Sequence, residues 1–316
     1  MENEYEIVKH PRIKYLNPFL VNLTYRNSHL HNDFELCLLL EGKLTVNTKK
    51  ERHLLTKGSI ILFNPIQPHE LSADHGSALI LSLQISPNFC AQYFQTFANV
   101  VFDESNLTDF LPSDQLQKIY SLLIELSSDY FDQKFGYELL NISLLNRLFY
   151  QLMHTVPYHL ISEEERAHNM QRLHRVNRIV NYIEEHYAGK LLLSTIADRE
   201  NLSLSYLSHF FKENLNTTFQ QYLNQVRFDK AKYLLERTNM KLIDVCLECG
   251  FSDTRYLNNL FLKHFGCTPR QYKERKFRMD SESPIPNLTI DQQFYSDQAS
   301  LEILSKYKKD RSMDFE

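Results

Sequence analysis

The sequence predicts an α+β multidomain protein, with a small N-terminal β-barrel, appended helices and an all-α C-terminal domain that holds two helix-turn-helix units. Three observations predict this architecture. Residues 8–85 contain short apolar segments separated by polar turns, and three of the seven glycines lie at these turns. From residue 113 the apolar residues recur at helical spacing instead. Residues 172–276 contain one helical pattern twice.

Composition narrows the class of protein. A chain of 316 residues can bury two separate cores, and 43% hydrophobic with 23% charged residues is ordinary for a globular protein. The longest apolar runs are about five residues, against the roughly 20 that a bilayer requires, so we expect no membrane contact. The N-terminal stretch MENEYEIVKH lacks the pattern of a signal peptide, and the five cysteines are scattered. We therefore expect reduced thiols and a cytoplasmic location.

Charge is divided unevenly along the chain. Residues 1–165 carry 12 Lys and Arg against 20 Asp and Glu, residues 166–278 carry 19 against 11, and residues 279–316 carry 4 against 8. A basic block beside an acidic one indicates that the middle part meets a polyanion. Chance clustering of charges on solvated helices is the alternative.

These patterns divide the chain into four segments. Residues 1–112 form the predicted barrel, with strands at FELCLLL, KLTVNT, SIILFNP and SALILSLQI. Residues 113–165 are a helical linker and dimerisation region, because two amphipathic helices need the barrel or a second copy of the chain to cover them. Residues 166–278 form the all-α domain. Residues 279–316 are a C-terminal extension of unknown role, in which SESPIP indicates a linker and DQASLEILSKYKK a short helix.

Histidines near the first strands have metal-ligand spacing. HLHNDFELCLLLEG places His29, His31 and Glu35 in the pattern H-x-H-x3-E-x6-G, and GSIILFNPIQPHEL adds His69. The two stretches resemble the two signatures of the cupin barrels, although Gln67 stands where that family often has glycine and the downstream Asn is missing. In a cupin enzyme such a set holds a divalent metal. The alternative is that these side chains hydrogen-bond within the barrel rim and hold its strands together.

The repeat in the basic block is offset by 49 residues before its turn and by 50 after it. The copies are LSTIADRENLSLSYLSHFFKEN and LIDVCLECGFSDTRYLNNLFLKHFG, in which Ile196 aligns with Val245 and Tyr206 with Tyr256. The inner face of the second helix in the first copy is predicted to contain Tyr206, Leu207, Phe210 and Phe211. The connecting segment has helical spacing over about 20 residues, or about 30 Å. One turn of B-DNA is about 34 Å, so the rod would place both recognition helices in successive major grooves.

The segment 172–276 closely resembles the DNA-binding domain of the AraC/XylS family of transcription regulators. The resemblance is carried by NRIVNYIEEHY, NLSLSYLSHFFKE, FQQYLNQVRFDKAKYLLERT and VCLECGFSDTRYLNNLF…HFGCTPRQYK. The chain departs from the family at Asn216, where glycine is usual, at Cys246, where alanine is usual, and at Leu262, where lysine is usual. Cys246-x-x-Cys249 has the spacing of a redox pair, but its place on a packed helix favours a structural role.

The resemblance implies which residues contact DNA. On the first recognition helix it places base contacts at Ser205, Ser208 and His209, and Lys212 points the same way. The corresponding positions on the second are Thr254, Arg255, Asn258 and Asn259. Arginine can bind guanine and asparagine adenine in bidentate fashion, whereas the alternative for Arg255 is a phosphate contact. Further phosphate contacts are expected at the helix N-termini that begin after Ser203 and Asp253 and at Lys190, Arg199, Lys263, Arg270 and Lys273.

Many members of that family carry an N-terminal cupin-like sensor, which the resemblance therefore implies for this barrel. We expect a homodimeric activator that binds double-stranded DNA and contacts RNA polymerase. Its small-molecule effector, by family analogy a sugar in carbohydrate utilisation, would contact His29, His31, Glu35 and His69. No catalytic residue, metal or cofactor is predicted. The alternatives are a metal-dependent cupin enzyme fused to a DNA-binding domain, and a ligand-independent regulator whose barrel only dimerises.

Overall fold

The computed structural model describes residues 4–48, 51–74, 76–215, 217–273 and 292–308. The chain forms two compact units. Of the described residues, the first unit contains those from 4 to 173 and from 292 to 308, and the second contains those from 174 to 273.

The first unit is built on two five-stranded sheets. One has the strand order β1 (Glu4–Tyr5), β3 (Tyr25–Leu30), β8 (His69–Ala73), β5 (Leu44–Thr48) and β6 (Arg52–Leu55). The other has the order β12 (Gln292–Phe294), β2 (Leu16–Leu23), β9 (Ala78–Ile85), β4 (Phe34–Glu41) and β7 (Ile60–Phe63). The strands pair antiparallel, except that β1 runs parallel to β3. A small third sheet pairs β10 (Val100–Phe102) with β11 (Tyr158–Leu160).

The second sheet is buried on both faces, which explains its continuous apolar strands. In β4, Cys37 and Leu39 belong to the core between the two sheets. The alternate residues Leu36, Leu38 and Leu40 belong to a larger core shared with the appended helices. Because successive side chains of a strand point to opposite faces, most residues of a strand that is buried on both sides are apolar.

Helices cover the outer face of this sheet. After the short α1 (Leu107–Phe110) come α2 (Ser113–Asp132) and α3 (Tyr137–Thr155), which lie where the leucine spacing predicts them. Their buried residues, among them Ile119, Leu123, Leu145, Leu148 and Leu152, join the sheet's outer core. The barrel itself is therefore one surface on which these helices are buried.

The C-terminal segment also belongs to the first unit. Strand β12 pairs with β2, and α10 (Asp297–Tyr307) packs on α2. The sequence predicts the helix but not the strand. Within residues 279–316, residues 279–291 and 309–316, including the predicted SESPIP linker, lie outside the described residues.

The second unit is all-α. It begins within α4 (Glu163–His186), between residues 173 and 174. The remaining helices are α5 (Leu193–Glu200), α6 (Leu204–Leu215), α7 (Phe219–Arg237), α8 (Leu242–Glu248) and α9 (Thr254–Phe265). The predicted fold class is confirmed: a β-rich N-terminal domain with appended helices precedes an all-α domain with two helix-turn-helix units. Among the helices of the described residues, none has the length and hydropathy needed to cross a bilayer.

Candidate functional site

The helix bounds reproduce the predicted repeat. Helices α5 and α8 begin 49 residues apart, at Leu193 and Leu242, and α6 and α9 begin 50 apart, at Leu204 and Thr254. The turn before α9 contains Gly250, whose φ of +74° is left-handed. A Cβ atom there would lie 2.5 Å from the carbonyl oxygen of Ala188, so only glycine fits the turn.

The repeat extends to the helix that precedes each unit. Tyr206 and Tyr256 are 48% and 44% exposed, so the expectation that Tyr206 lies on the inner face is wrong. The Tyr206 hydroxyl accepts a hydrogen bond from Arg175 of α4 at 3.3 Å, and the Tyr256 hydroxyl accepts one from Asn224 of α7 at 2.8 Å. Arg175 and Asn224 are also 49 residues apart in the chain. Each helix-turn-helix unit is therefore part of a three-helix repeat. In both copies a polar side chain of the preceding helix donates a hydrogen bond to the exposed tyrosine.

The predicted DNA-contacting residues lie along the outer faces of α6 and α9. Ser205, Ser208, His209 and Lys212 are all exposed, while Leu207, Phe210 and Phe211 between them are buried. On α9, Arg255 and Asn259 are exposed, and Thr254 and Asn258 are half-buried. Their contacts with DNA remain predictions. Asn216 lies outside the described residues.

Asp253 positions the guanidinium of Arg255. Its carboxylate caps α9 by accepting a hydrogen bond from the Arg255 backbone N–H at 2.7 Å, and it accepts a second one from Arg255 Nε at 2.7 Å. The backbone hydrogen bond has the larger effect, and together the two bonds hold the pKa of Asp253 below its ordinary value. The carboxylate is therefore ionised at neutral pH. Because the ion pair uses Nε, both Nη groups of Arg255 remain available for a guanine edge.

Among the predicted phosphate-contacting residues, Lys273 and Arg199 have identified partners inside the unit. Lys273 Nζ donates to the Thr238 carbonyl oxygen at 2.7 Å. The Arg199 guanidinium lies 4.4 Å above the ring of Tyr182. Both cations therefore help hold the fold, and a phosphate contact would be a second role.

The second candidate site is a buried cluster in the first unit. His29 and His69 face each other in the pairing of β3 with β8, His31 follows β3, and Glu35 lies on β4. All four are at most 3% exposed, and one ligand atom from each lies within 4.8 Å of the others. Glu35 Oε2 is 2.7 Å from His31 Nε2 and 3.3 Å from His69 Nε2. The structure thus brings together the whole set that the sequence predicts.

Backbone carbonyl groups orient all three imidazoles the same way. Nδ1 of His29 donates to the Asn27 carbonyl oxygen at 2.9 Å, Nδ1 of His31 to that of Asp33 at 3.0 Å, and Nδ1 of His69 to that of Gln67 at 2.9 Å. A carbonyl oxygen only accepts, so each Nδ1 carries hydrogen and each Nε2 faces the cluster. Nε2 of His69 is buried and makes no hydrogen bond.

The shifts in pKa favour the charged forms of Glu35 and His31 and the neutral form of His29. Burial raises the pKa of Glu35, but the hydrogen bond with His31 and the nearby imidazole of His69 outweigh it and hold that pKa well below its ordinary value. Burial lowers the pKa of His31, yet its bond to Glu35 gives a net rise. Burial, and then the neighbouring imidazole of His69, hold the pKa of His29 well below its ordinary value. A neutral His29 therefore presents an unprotonated Nε2 beside an ionised carboxylate, an arrangement that calls for a hydrogen-bond donor or a cation.

The residues fit a divalent metal. Three imidazole nitrogens and one carboxylate are donors that Zn²⁺, Fe²⁺, Mn²⁺ and Ni²⁺ accept. The Nδ1–carbonyl bonds are the outer contacts that usually fix metal-ligating histidines. The unsatisfied Nε2 of His69 is the observation that favours a cation here.

A cavity of about 250 Å³ opens between the two sheets beside this cluster. His29 and Glu35 line it, whereas His31 and His69 are not among its lining residues. Its walls also hold Glu6, Asn17, Arg26, Ser82, Gln84, Gln292, Phe19 and Phe294. Sequence reasoning did not find these residues, because only the pairing of distant strands brings them together.

Comparison with known proteins gives two family matches. Residues 22–169 match an AraC-like ligand binding domain, and residues 196–275 match a helix-turn-helix domain. The chain is 34% identical over 100 residues to the HTH-type transcriptional activator RhaS of Enterobacter sp. (strain 638), which covers 32% of this chain and 36% of RhaS. RhaS of Escherichia fergusonii gives the same identity and coverage. The match therefore spans only about a third of the length of these relatives.

Solved structures give two further likenesses. The C-terminal domain of the two-component response regulator yesN from Fusobacterium nucleatum is 38% identical and covers 31% of this chain and 97% of that one, with a TM-score of 0.29. ToxT from Vibrio cholerae is 14% identical and covers 83% of this chain and 98% of that one, with a TM-score of 0.45.

A ligand-binding domain followed by two helix-turn-helix units defines a transcription regulator with its own sensor. These matches confirm the resemblance of the sequence to the AraC/XylS family of these regulators.

Proposed function

We propose that the protein binds specific double-stranded DNA in the cytoplasm as a transcription activator whose first unit senses a small-molecule effector. One observation carries the proposal: two helix-turn-helix units with exposed polar faces follow a ligand-binding domain with a cavity that both polar and apolar side chains line. Because the family resemblance implies a role in carbohydrate utilisation, a sugar is the proposed effector.

Genomic-DNA capture with the purified full-length protein tests DNA recognition. We expect enrichment of a few promoters that carry paired sites about one helical turn apart. The matched control is a variant with Arg255 and Asn258 replaced by alanine, which leaves the buried face of α9 intact. Equal retention of all fragments by both proteins would contradict sequence-specific binding.

The partners are proposed on the same basis. A homodimer would cover the apolar residues that α3 leaves exposed, which include Leu139, Leu140 and Tyr150. RNA polymerase contact follows from the activator role. Sedimentation of the wild type and of Leu139→Ser tests the dimer, which we expect the substitution to weaken.

A metal centre is the second candidate function, because His69 Nε2 is buried without a hydrogen bond beside Glu35. Metal bound by His29, His31, Glu35 and His69 would supply a positive charge and open coordination positions for an effector. Elemental analysis of the purified protein is the test: stoichiometric metal, lost in His69→Gln but retained in a His159→Gln control on the surface, supports it. Metal-free wild type after reconstitution with Fe²⁺, Mn²⁺, Zn²⁺ and Ni²⁺ would contradict it.

A further inference from the structure

The C-terminal segment, residues 292–308, is firmly attached to the first unit. Strand β12 pairs with β2 from Gln292 to Phe294, and the Tyr295 backbone N–H donates to the Leu20 carbonyl oxygen at 3.0 Å. Leu304 and Tyr307 of α10 are buried in the outer core of the sheet. The Tyr307 hydroxyl donates to Glu41 at 2.7 Å, and Asp297 pairs with Arg12.

The alternation of β12 directs two of its residues into the cavity. Gln292 and Phe294 line the cavity, whereas Gln293 between them does not. The ring of Phe294 lies 5.4 Å from that of Phe19, which also lines the cavity. Phe294 is nevertheless 59% exposed. Strand pairing thus holds an aromatic surface open at the cavity wall.

The polar part of the wall is a hydrogen-bonded network. Asn17 Nδ2 donates to Gln84 Oε1 at 3.0 Å, Gln84 Nε2 donates to Glu6 Oε1 at 2.9 Å, and Arg26 Nη2 donates to Glu6 Oε2 at 3.1 Å. The imidazole of His29 also lines this wall. Amides and an imidazole can both donate to and accept from hydroxyl groups, whereas carboxylates accept from them and a guanidinium donates to them.

This chemistry selects a class of ligand. Two carboxylates, Glu6 and Glu35, disfavour an anion, and a cavity of about 250 Å³ is small compared with the roughly 300–1,000 Å³ typical of ligand sites. Hydroxyl groups match the polar network, and the C–H face of a ring matches the exposed surfaces of Phe19 and Phe294. A small, uncharged, polyhydroxylated molecule meets all three conditions.

We propose that Gln292 and Phe294 of the C-terminal segment complete the binding site for such a ligand, so that ligand and segment stabilise each other's position. The proposal rests on the effector-sensing function proposed above and adds a part of the chain that follows the helix-turn-helix units. Because binding free energies are reciprocal, whatever loosens the segment weakens the ligand, and the ligand tightens the segment. Ligand binding thereby stabilises the position of residues 292–308, the segment that follows the DNA-binding domain in the sequence.

Isothermal titration of the full-length protein tests the site, with D-glucose, D-galactose, D-xylose, L-arabinose and myo-inositol as probes. We expect at least one probe to bind the wild type. Phe294→Ala and Gln292→Ala should each weaken that binding about tenfold, as loss of one good contact does. Gln293→Ala, on the same strand but outside the cavity, should bind within about twofold of the wild type.

The opposite outcomes are distinct. Equal affinity in all three variants overturns the role of the segment, and no binding of any probe to the wild type overturns the ligand class. Asp297→Ala tests the coupling, because Asp297 anchors α10 without lining the cavity. We expect it to weaken the ligand severalfold with an unchanged fold by circular dichroism, and unchanged affinity overturns the coupling. Genomic-DNA capture with the same preparation shows separately whether the proposed regulatory function holds.

Discussion

At the scale of single residues, Asp253 and Arg255 form the part of the DNA interface with the most defined geometry. The carboxylate holds Nε of Arg255 at 2.7 Å and leaves both Nη groups free for a base. We expect Arg255→Ala to cost about 1–3 kcal/mol of binding and to relax specificity at one base pair. Arg255→Lys should not restore specificity, because lysine lacks the bidentate fork. Electrophoretic mobility shifts on a captured site and its single-base variants measure both effects.

Asp253→Asn separates the two roles of the aspartate. Asparagine is a good N-cap, so α9 should keep its stability, but the neutral amide no longer pairs with the guanidinium. We expect weaker binding than wild type with an unchanged melting temperature. DNA binding equal to that of the wild type would show that the carboxylate acts only as a cap.

The thiols give a second prediction at this scale. All five cysteines are buried, and burial raises the pKa of Cys90 and of Cys249 to about 11 and also raises that of Cys246. Because the thiolate is the reactive form, we expect no fast reaction with Ellman's reagent at pH 7 and five reacting thiols in guanidinium chloride. Rapid loss of two thiols on mild oxidation would instead support the redox role of Cys246 and Cys249.

At the scale of elements, the turn of the second helix-turn-helix unit leaves no room for a side chain at Gly250. In Gly250→Ala the new Cβ would have to lie 2.5 Å from a backbone oxygen at a φ of +74°. Gly266, the C-cap of α9, has a φ of +63° and open space around it, so Gly266→Ala carries only the left-handed backbone cost of about 1–2 kcal/mol. We expect Gly250→Ala to lower the free energy of unfolding clearly more than this control. Equal losses of unfolding free energy in chemical denaturation would mean that the backbone at Ala188 moves to make room for the new methyl group.

The helices were predictable because their signals are local. The apolar spacing of α2, α3 and α7 lies within each segment, and the aligned offsets of 49 and 50 place both helix-turn-helix units. The triad of His29, His31 and Glu35 was predictable for the same reason. The pairing of His69 with His29 depends on the register of β3 with β8, which only the signature resemblance supplied.

The strand β12 and the cavity wall were not predictable from local pattern. The three residues of β12, Gln292–Phe294, show no apolar alternation, and their partner β2 begins at Leu16. Nothing in the local sequence of either segment indicates that two such distant segments pair. Tyr206 was misplaced because helical spacing marks an aromatic residue as inner, whereas its hydroxyl is held outward by Arg175.

At the scale of the whole molecule, the uneven distribution of charge predicts that one unit makes the electrostatic contacts with DNA. Residues 166–278 carry an excess of Lys and Arg, and residues 1–165 carry an excess of Asp and Glu. Each phosphate contact releases condensed counterions, so the slope of log K against log salt reports how many contacts form. The acidic unit should contribute none of them.

We therefore expect DNA affinity of the full-length protein to fall steeply with salt, and the slope to decrease by about 0.9 for each phosphate contact removed. Lys212→Ala on α6 and Lys263→Ala on α9 each remove an exposed cation from a recognition helix. Lys118→Ala removes one from α2 in the acidic unit, where Lys118 pairs with Asp114 at 3.2 Å, and is the matched control. Fluorescence anisotropy over a salt series gives the three slopes. A change for Lys118→Ala as large as for the other two would mean that the first unit also contacts the DNA backbone, because a screened surface charge elsewhere cannot alter a counterion-release slope.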